Sequence, residues 1–174
     1  FDNLLGLDPT TGATRWTVPH FRDYGTPSVV RVGGVAYVLT PDGRAVRAKD
    51  GVVVLSDLAP TWFNGVDVVG TDVYTAASIG READKRFIAT RTTLAAGGSQ
   101  GLTATVRWQV TQEAYNRVYS TPIVHNGKLL VTDDNGWLYT FDIANGAASE
   151  PVRLPSAGKG HYASLQVSTA ISSK

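Results

Sequence analysis

Short residue pairs recur along this chain at a nearly constant interval. Three pairs return 92 to 95 residues later: Arg15-Trp16 as Arg107-Trp108, Thr26-Pro27 as Thr121-Pro122, and Asp42-Gly43 as Asn135-Gly136. Another copy lies between them, since Val69–Tyr74 matches Val32–Tyr37. Two copies within that interval give a period of about 46 residues, and a period of this size indicates one supersecondary unit repeated along the chain.

Each repeat has the pattern of antiparallel strands. β-Branched and aromatic runs flank Gly33-Gly34, Gly70–Asp72 and Asn126-Gly127, which are typical hairpin turns. We find no persuasive long amphipathic helix. A four-stranded unit of about 46 residues is the size of a β-propeller blade, so we predict an all-β chain of four-stranded antiparallel blades.

The blades are assigned along the chain as one partial propeller domain over residues 1–174. The predicted pieces are a half-blade at 3–18, whole blades at 26–57, 64–110 and 120–154, and a further strand at 161–168. An isolated fragment would leave open sheet edges, which invite aggregation. We therefore expect the chain to belong to a ring of seven or eight blades, with a compact four-bladed closure as the alternative.

Composition excludes several classes of protein. Hydrophobic residues make up 43% of the 174 residues and charged residues 18%, a balance too apolar for a disordered chain. The absence of Cys excludes disulfides, thiolate metal sites and cysteine nucleophiles. A net charge of +1 predicts no overall attraction to nucleic acid, and no apolar stretch approaches the ~18 residues that span a bilayer. Because the chain starts at Phe1 and lacks Met, we expect a processed product or an excerpt.

A ten-residue motif resembles a known repeat family. Leu7–Trp16 fits the pattern D-x-x-T-G-x-x-x-W of quinoprotein-type, or PQQ-like, propeller repeats. Thr140–Gly146 resembles the same pattern, with Asn145 in place of Thr and Glu150 in place of Trp. The copy at Asp50-Gly51 is shortened. The predicted structural motif residues are Asp8, Thr11, Gly12, Trp16, Trp108, Asp142 and Gly146.

Elementary chemistry explains these residue types. The Asp8 carboxylate can accept hydrogen bonds from amides of its own turn, and Gly12 can supply a positive φ. Trp16 and Trp108 are large enough to wedge between adjacent blades, with the indole N–H seeking a carbonyl. We therefore interpret both tryptophans as structural.

The resemblance implies three functional hypotheses. The first is a non-catalytic binding or scaffolding module, as in exported propeller modules and outer-membrane assembly lipoproteins. The second is a fragment of a PQQ-dependent quinoprotein dehydrogenase that oxidises alcohols or sugars with pyrroloquinoline quinone and Ca²⁺. The third is a purely structural repeat of a larger envelope or adhesive protein. We favour the first in a periplasmic or extracellular location, with no catalytic residue, metal or cofactor, because no residue can be matched to the quinone site and the adjacent cysteine pair of many alcohol-oxidising members is absent.

Aromatic residues cluster in the predicted connections between blades. Seven of the sixteen Phe, Trp and Tyr residues fall in segments 18–27, 58–65, 111–121 and 155–163, which share one face of a propeller. Aromatic and Arg side chains on one exposed face suggest binding of a protein or small molecule. The candidate residues are Tyr24, Trp62, Phe63, Asn64, Tyr115, Arg117, Tyr119, His161 and Tyr162. In the alternative interpretation these rings cover blade junctions and plug the channel.

Other chemical motifs are absent or ambiguous. The three His residues lack local metal-ligand spacing, and Asp133–Gly136 lacks the alternating ligands of a calcium loop, so a hairpin turn is predicted there. Ala95–Gly101 is glycine-rich but fits neither a dinucleotide fingerprint nor a P-loop, and we expect an extended hairpin.

Overall fold

The computed structural model describes residues 2–20, 24–61, 63–79 and 86–155, and these contain fourteen strands and no helix. The N-terminal half-blade consists of β1 (Asp2–Leu7) and β2 (Thr14–His20). The first blade consists of β3 (Ser28–Val32), β4 (Val35–Leu39), β5 (Ala45–Arg47) and β6 (Val53–Leu55). The second blade consists of β7 (Asp67–Val69), β8 (Asp72–Ile79), β9 (Arg86–Ala96) and β10 (Leu102–Glu113). The third blade consists of β11 (Ile123–His125), β12 (Lys128–Thr132), β13 (Trp137–Asp142) and β14 (Val152–Arg153).

Each whole blade is an up-and-down antiparallel sheet whose strands pair in chain order. The prediction of an all-β chain of four-stranded antiparallel blades is confirmed. The strand predicted at 161–168 lies outside the described residues.

The tight turns follow from local sequence. Gly33 and Gly34 have φ of 57° and 82°, and Asn126 and Gly127 have φ of 47° and 73°. Positive φ at both central residues is what a two-residue type I′ hairpin turn requires. One predicted turn is too long, because Asp72 is the first residue of β8 rather than part of the turn. Its carboxylate accepts hydrogen bonds from Arg91 and Thr93 of β9, which holds it in the sheet.

The hydrophobic cores lie between blades. One joins the first and second blades and includes Val30, Tyr37, Leu39, Val66, Val73 and Leu94. The other joins the second and third blades and includes Tyr74, Phe87, Trp108, Leu129, Tyr139 and Phe141. Because each blade hides its faces against its neighbours, the described blades depend on one another for burial.

The innermost strands are also tied together directly. Ser28 Oγ donates a hydrogen bond to Val66 O at 2.8 Å, which joins β3 to the start of the second blade. The Val124 backbone N–H donates to Asp67 Oδ2 at 2.7 Å, which joins β11 to β7. The first strands of the three blades, β3, β7 and β11, are therefore neighbours and lie on the same side of the molecule.

Strand alternation separates two ends of the molecule. The connections between blades and the turns between second and third strands, such as Pro41–Gly43 and Asp133–Gly136, share one end, because successive antiparallel strands reverse direction. We call this the connection end. The other two turns of each blade lie at the opposite end.

Two tryptophans form equivalent contacts across blade boundaries. Trp16 Nε1 donates to Ala48 O at 3.0 Å, and Trp108 Nε1 donates to Ile143 O at 2.9 Å. Each ring lies over a glycine of the next blade: a Cβ at Gly51 would sit 2.9 Å from Trp16 Cδ2, and a Cβ at Gly146 would sit 2.9 Å from Trp108 Cδ2. We call this arrangement a tryptophan junction.

The turn at Asp8 is alike in detail to the turn at Asp142, which carries the glycine under Trp108. Asp8 Oδ1 accepts the backbone N–H groups of Thr10 and Thr11, each at 2.9 Å, and Gly12 N–H donates to Asp8 O at 2.8 Å. A hydrogen bond from Arg15, with those from the turn amides, lowers the pKa of Asp8 to about 2. The equivalent carboxylate, that of Asp142, accepts the Ala144 N–H at 2.9 Å.

The hairpin of β9 and β10 extends beyond its own blade. Leu94 and Leu102 are buried in the core shared with the first blade. A Cβ at Gly33 would lie 3.2 Å from Ala96 Cβ, so the hairpin tip contacts the turn between β3 and β4. The glycine-rich stretch at 97–101 forms the turn of this hairpin, as the sequence predicts.

Candidate binding surface

Three aromatic rings meet at the connection end. Tyr24 stacks on Phe63 with ring centroids 6.0 Å apart and an interplanar angle of 11°. Phe63 meets Tyr119 edge to face at 5.3 Å. The three residues belong to three successive connections between blades, and we call them the aromatic row. Tyr24 is 85% exposed, so one end of the row faces solvent.

The aromatic row forms where the backbones of neighbouring connections come close together. A Cβ at Gly25 would lie 2.2 Å from Asn64 O, and a Cβ at Gly65 would lie 2.9 Å from Thr26 O. Gly65 N–H also donates to Thr121 Oγ1 at 3.0 Å. Because glycine has no side chain at these two points, neighbouring connections come close enough for their rings to touch.

A cation lies beside the row. Arg117 Nη1 is 3.5 Å from the Tyr119 hydroxyl oxygen, and Arg117 O accepts the Asp134 backbone N–H at 3.0 Å. The second contact ties this connection to the turn between β12 and β13. The main chain of Arg117 is therefore anchored at the same end of the molecule as the row.

A second aromatic group lies at this end. Tyr115 stacks on Trp137 with ring centroids 4.1 Å apart and an interplanar angle of 22°. Arg153 Cζ lies 5.8 Å from the centroid of the Trp137 ring, within the range of a cation–π contact. Tyr115 is 51% exposed. We call these two rings the Tyr115–Trp137 pair.

A buried carboxylate positions this pair. Asp133 is 2% exposed, and its Oδ1 accepts the backbone N–H of Trp137 at 2.9 Å. Its Oδ2 accepts the Asn116 N–H at 3.0 Å and the Tyr139 hydroxyl at 3.1 Å. One side chain thus joins the turn between β12 and β13 to the connection that precedes the third blade.

The phenol of Tyr139 extends the same network. Its oxygen accepts the backbone N–H of Tyr115 at 3.0 Å. Burial raises the pKa of Tyr139, and the hydrogen bond to Asp133 acts in the same direction. The phenol therefore stays protonated at neutral pH. It donates a hydrogen bond to Asp133 and simultaneously accepts one from the Tyr115 backbone N–H.

The predicted binding residues separate into three groups. Tyr24, Phe63, Tyr119 and Arg117 are brought together, and Tyr115 stacks elsewhere at the same end. Asn64 is 2% exposed and its Nδ2 donates to Ala76 O at 2.8 Å, so it is not available at the surface. The remaining candidates, Trp62, His161 and Tyr162, lie outside the described residues.

Sequence reasoning missed Trp137 and Asp133. The stretch Asp133–Gly136 is a hairpin turn, as predicted, but it also reaches the connection end. The available signal was strand alternation, since the turn between second and third strands must share an end with the blade connections.

An ion-pair cluster joins the half-blade to the first blade. Asp42 pairs with Arg44 and lies 3.4 Å from His20 Nδ1, and Arg44 Nη1 donates to Pro19 O at 2.8 Å. Burial opposes ionisation of Asp42, but hydrogen bonds from Arg44 and Thr40 outweigh it and lower the pKa of the carboxyl. The cluster connects two sheets through the turn that follows β4.

Within residues 2–20, 24–61, 63–79 and 86–155, no three His, Cys, Asp or Glu side chains are grouped so that they could hold a metal ion. No described helix is long and apolar enough to cross a membrane.

Comparison with known proteins supports the fold. No protein-family model and no curated protein matches the chain. Among solved structures, BamB from Moraxella catarrhalis is 21% identical with a TM-score of 0.56, over 87% of this chain and 44% of that one. Quinohemoprotein alcohol dehydrogenase ADHIIG from Pseudomonas putida HK5 is 21% identical with a TM-score of 0.45, over 73% of this chain and 20% of that one.

This chain spans less than half of the BamB structure that it matches. At 21% identity the likeness concerns the fold and not the activity. The BamB match agrees with the four-stranded antiparallel sheets that repeat along this chain. The fold is therefore that of a β-propeller, of which the described residues form three whole blades and a half-blade.

Proposed function

We propose that this chain is a non-catalytic binding or scaffolding module that holds a partner at its connection end. The observation that carries the proposal is the aromatic row, because three separate connections each contribute one ring to it. Loops held on a rigid scaffold are where proteins commonly place binding residues.

The chemistry of this end suits a protein partner. Tyr, Trp and Arg are the residue types that dominate the energetics of protein interfaces. Aromatic faces offer apolar area with little loss of side-chain entropy, and Arg117 and Arg153 supply positive charge beside them. We infer a partner surface that combines apolar groups with carboxylates. We expect this interaction in the periplasm or outside the cell, because the repeat resembles those of exported propellers.

Exposure favours binding over a role in covering blade junctions. A ring that seals a junction is buried by the blades on either side, as Trp108 is at 8% exposure. Tyr24 is 85% exposed, although it stacks on Phe63. Stacking on Phe63 holds the exposed Tyr24 ring in place for contact with a partner, although the ring adds little to the core.

Site-specific photo-crosslinking in the cells that make the protein tests the proposal. A photoreactive phenylalanine analogue would replace Tyr24, and in a matched control it would replace Val35, which is 38% exposed and follows the turn at the opposite end. We expect a discrete adduct from position 24 and none from position 35. No adduct from position 24, or the same adducts from both positions, would contradict the proposal.

Alanine substitution separates binding from folding. Tyr24→Ala removes a mostly exposed side chain, so we expect a change in the free energy of unfolding within about 0.5 kcal/mol and a loss of the adduct formed by an analogue at Tyr119. Equal loss of folding and of crosslinking would support the junction-covering interpretation instead.

The quinone hypothesis has its own test. Pyrroloquinoline quinone and Ca²⁺ would be titrated into the complete natural polypeptide while tryptophan fluorescence is followed. We expect no saturable quenching. Saturable quenching that requires Ca²⁺ would contradict the binding-module proposal and support a PQQ-dependent dehydrogenase. The carboxylate base of that enzyme would then have to be sought outside the described residues.

A further inference from the structure

Several asparagines in this chain are followed directly by glycine. The pairs are Asn64-Gly65, Asn126-Gly127, Asn135-Gly136 and Asn145-Gly146. In such a pair the glycine amide nitrogen can attack the side-chain carbonyl carbon of the asparagine, because glycine has no Cβ to obstruct the approach. The attack requires a glycine N–H that is not already bonded and an asparagine side chain that can rotate. The tertiary structure decides which pair meets both conditions.

In three of the pairs the glycine N–H is occupied. Gly65 N–H donates to a threonine hydroxyl at 3.0 Å. Gly136 N–H donates to the Asp133 carbonyl at 3.0 Å, and Gly146 N–H donates to the Asp142 carbonyl at 2.8 Å. All three glycines are also buried. Each of these nitrogens would have to break a hydrogen bond and become accessible to solvent before it could react.

The asparagine side chains of the same three pairs are held in place. Asn64 is 2% exposed, and its Nδ2 donates to a backbone carbonyl at 2.8 Å. Asn135 Nδ2 donates to Tyr115 O at 3.4 Å. Asn145 Oδ1 accepts the backbone N–H two residues further on at 2.9 Å. Rotation of any of these side chains toward its glycine would therefore cost a hydrogen bond.

The pair at the tip of the β11–β12 hairpin differs in both respects. Asn126 and Gly127 are exposed. Among the described residues, neither the Asn126 side chain nor the Gly127 N–H has a hydrogen-bond partner. A Cβ at Gly127 would meet nothing within 4 Å, so the surroundings of this residue are open. The Asn126 side chain can therefore change rotamer and bring its Cγ toward the Gly127 nitrogen.

We propose that Asn126 is a modification site, at which the chain converts the asparagine to aspartate or isoaspartate through a cyclic imide with Gly127. The Gly127 nitrogen loses its proton and bonds to Asn126 Cγ, while the Cγ–Nδ2 bond breaks and ammonia leaves. Water then opens the imide. Cleavage of the new N–Cγ bond gives aspartate, and cleavage of the original peptide bond gives isoaspartate. This site is independent of the proposed binding function.

The two products differ in what they do to the hairpin. The turn has φ of 47° and 73° at its two central residues, the geometry of a type I′ turn. Aspartate, like asparagine, adopts positive φ at low cost and leaves this turn intact. Isoaspartate lengthens the main chain within the turn and displaces the pairing of His125 with Lys128. Because the Val124 N–H bonds Asp67, the change reaches the contact between β11 and β7.

Tryptic peptide mapping of the complete natural polypeptide tests the proposal. Cleavage after Lys and Arg gives the peptides 118–128 with Asn126, 50–81 with Asn64, and 129–153 with Asn135 and Asn145. Peptide 118–128 contains no other Asn or Gln, so its change in mass is unambiguous. After incubation of the folded protein at mildly alkaline pH, we expect this peptide to exchange ammonia for water at least about tenfold faster than the other two. No change in 118–128, or an equal rate in either other peptide, would overturn the proposal.

Incubation in denaturant separates the effect of structure from that of local sequence. All the pairs then have the same Asn-Gly chemistry without the hydrogen bonds of the folded state. We expect comparable rates per site in the three peptides. A preference for peptide 118–128 that persists in denaturant would contradict the role assigned to the fold.

Thermal unfolding tests the effect on the hairpin. The Asn126→Asp variant carries the aspartate product in every molecule and is the matched control. The isoaspartate form would be separated chromatographically from the incubated natural protein. We expect its Tm to be at least about 2 °C below that of Asn126→Asp. Equal Tm values would show that the lengthened turn does not disturb the pairing of β11 with β12.

Discussion

Single residues hold neighbouring blades together. Trp108 shows this best, because its ring packs on Gly146, its N–H bonds Ile143 O, and it stacks over Phe141 at 6.5 Å. Arg91 Nη1 donates to the same Ile143 carbonyl at 2.9 Å. One backbone oxygen thus receives two donors from the preceding blade.

Replacement of Trp108 by Ala should be strongly destabilising. We expect a loss of about 3–5 kcal/mol in the free energy of unfolding, because a large buried ring is removed and the site cannot fully collapse. Trp108→Phe should cost less, since most of the apolar area stays and only the indole hydrogen bond is lost. Denaturant unfolding measures both, and an equal loss for the two variants would show that the hydrogen bond and not the packing dominates.

Asp133 is the residue on which the geometry of the Tyr115–Trp137 pair depends. Asp133→Asn should cost about 1–3 kcal/mol, because an amide nitrogen cannot accept the hydrogen bonds now received by one carboxylate oxygen. We also expect weaker near-ultraviolet circular dichroism from the stacked rings. Asn145→Ala is the control, since that exposed side chain accepts one N–H in a turn at the opposite end. Unchanged dichroism in Asp133→Asn would show that the carboxylate does not determine how the Tyr115–Trp137 pair is placed.

At the scale of elements, the long hairpin departs most from a simple blade. β9 and β10 have 11 and 12 residues, whereas β5 and β6 of the first blade have 3 each. Their extra length carries Leu94 and Leu102 into the core of the neighbouring blade. The glycine-rich turn is visible in the sequence, but the surface on which the hairpin rests is not, because that contact joins residues far apart in the chain.

The hairpin should therefore stabilise the boundary between the first and second blades. Leu94 is 1% exposed, and we expect Leu94→Ala to reduce the free energy of unfolding by about 2–5 kcal/mol. Val106→Ala in the same hairpin should change it by less than about 0.5 kcal/mol, because Val106 is exposed. Urea unfolding compares the two, and similar losses would mean that the hairpin tip is not packed as described.

For the whole molecule, carboxylates with lowered pKa values set the response to acid. Burial opposes ionisation of Asp72, but hydrogen bonds from Arg91 and Thr93 outweigh it and lower its pKa below the usual 3.8. The pKa of Asp42 is lowered in the same way, because hydrogen bonds from Arg44 and Thr40 outweigh the effect of burial. Because these pKa values are lower in the folded state, the stability that the groups contribute is present above about pH 4 and is lost as pH falls below it.

Stability should accordingly be nearly constant from neutral pH to about pH 5 and should fall below about pH 4. Asp72→Asn should lower stability at neutral pH and reduce its acid dependence, since the ion pair with Arg91 no longer forms. Thermal unfolding across this range measures both effects. A fall in stability that is the same with and without Asp72 would show that this pair does not contribute.

The sequence by itself determined the repeat, the strands, the hairpin turns and the residues of the junction turn. These features are local, because strand alternation, an Asn-Gly turn and the bonds of Asp8 to its own turn each involve only a few neighbouring residues. The β-propeller prediction was correct for the same reason, since a repeated local unit leaves few ways to bury its faces.

Only the tertiary structure decided which side chains meet. Sequence grouped Asn64 with Phe63 as surface residues, yet Asn64 turns inward to bond Ala76 O while Phe63 stacks between Tyr24 and Tyr119. The sequence predicted the turn at Asp133 but not the hydrogen bond that its carboxylate accepts from the Asn116 backbone N–H. Such contacts depend on how successive blades are placed around the axis, and that placement is set by packing between residues distant in the chain rather than by local sequence.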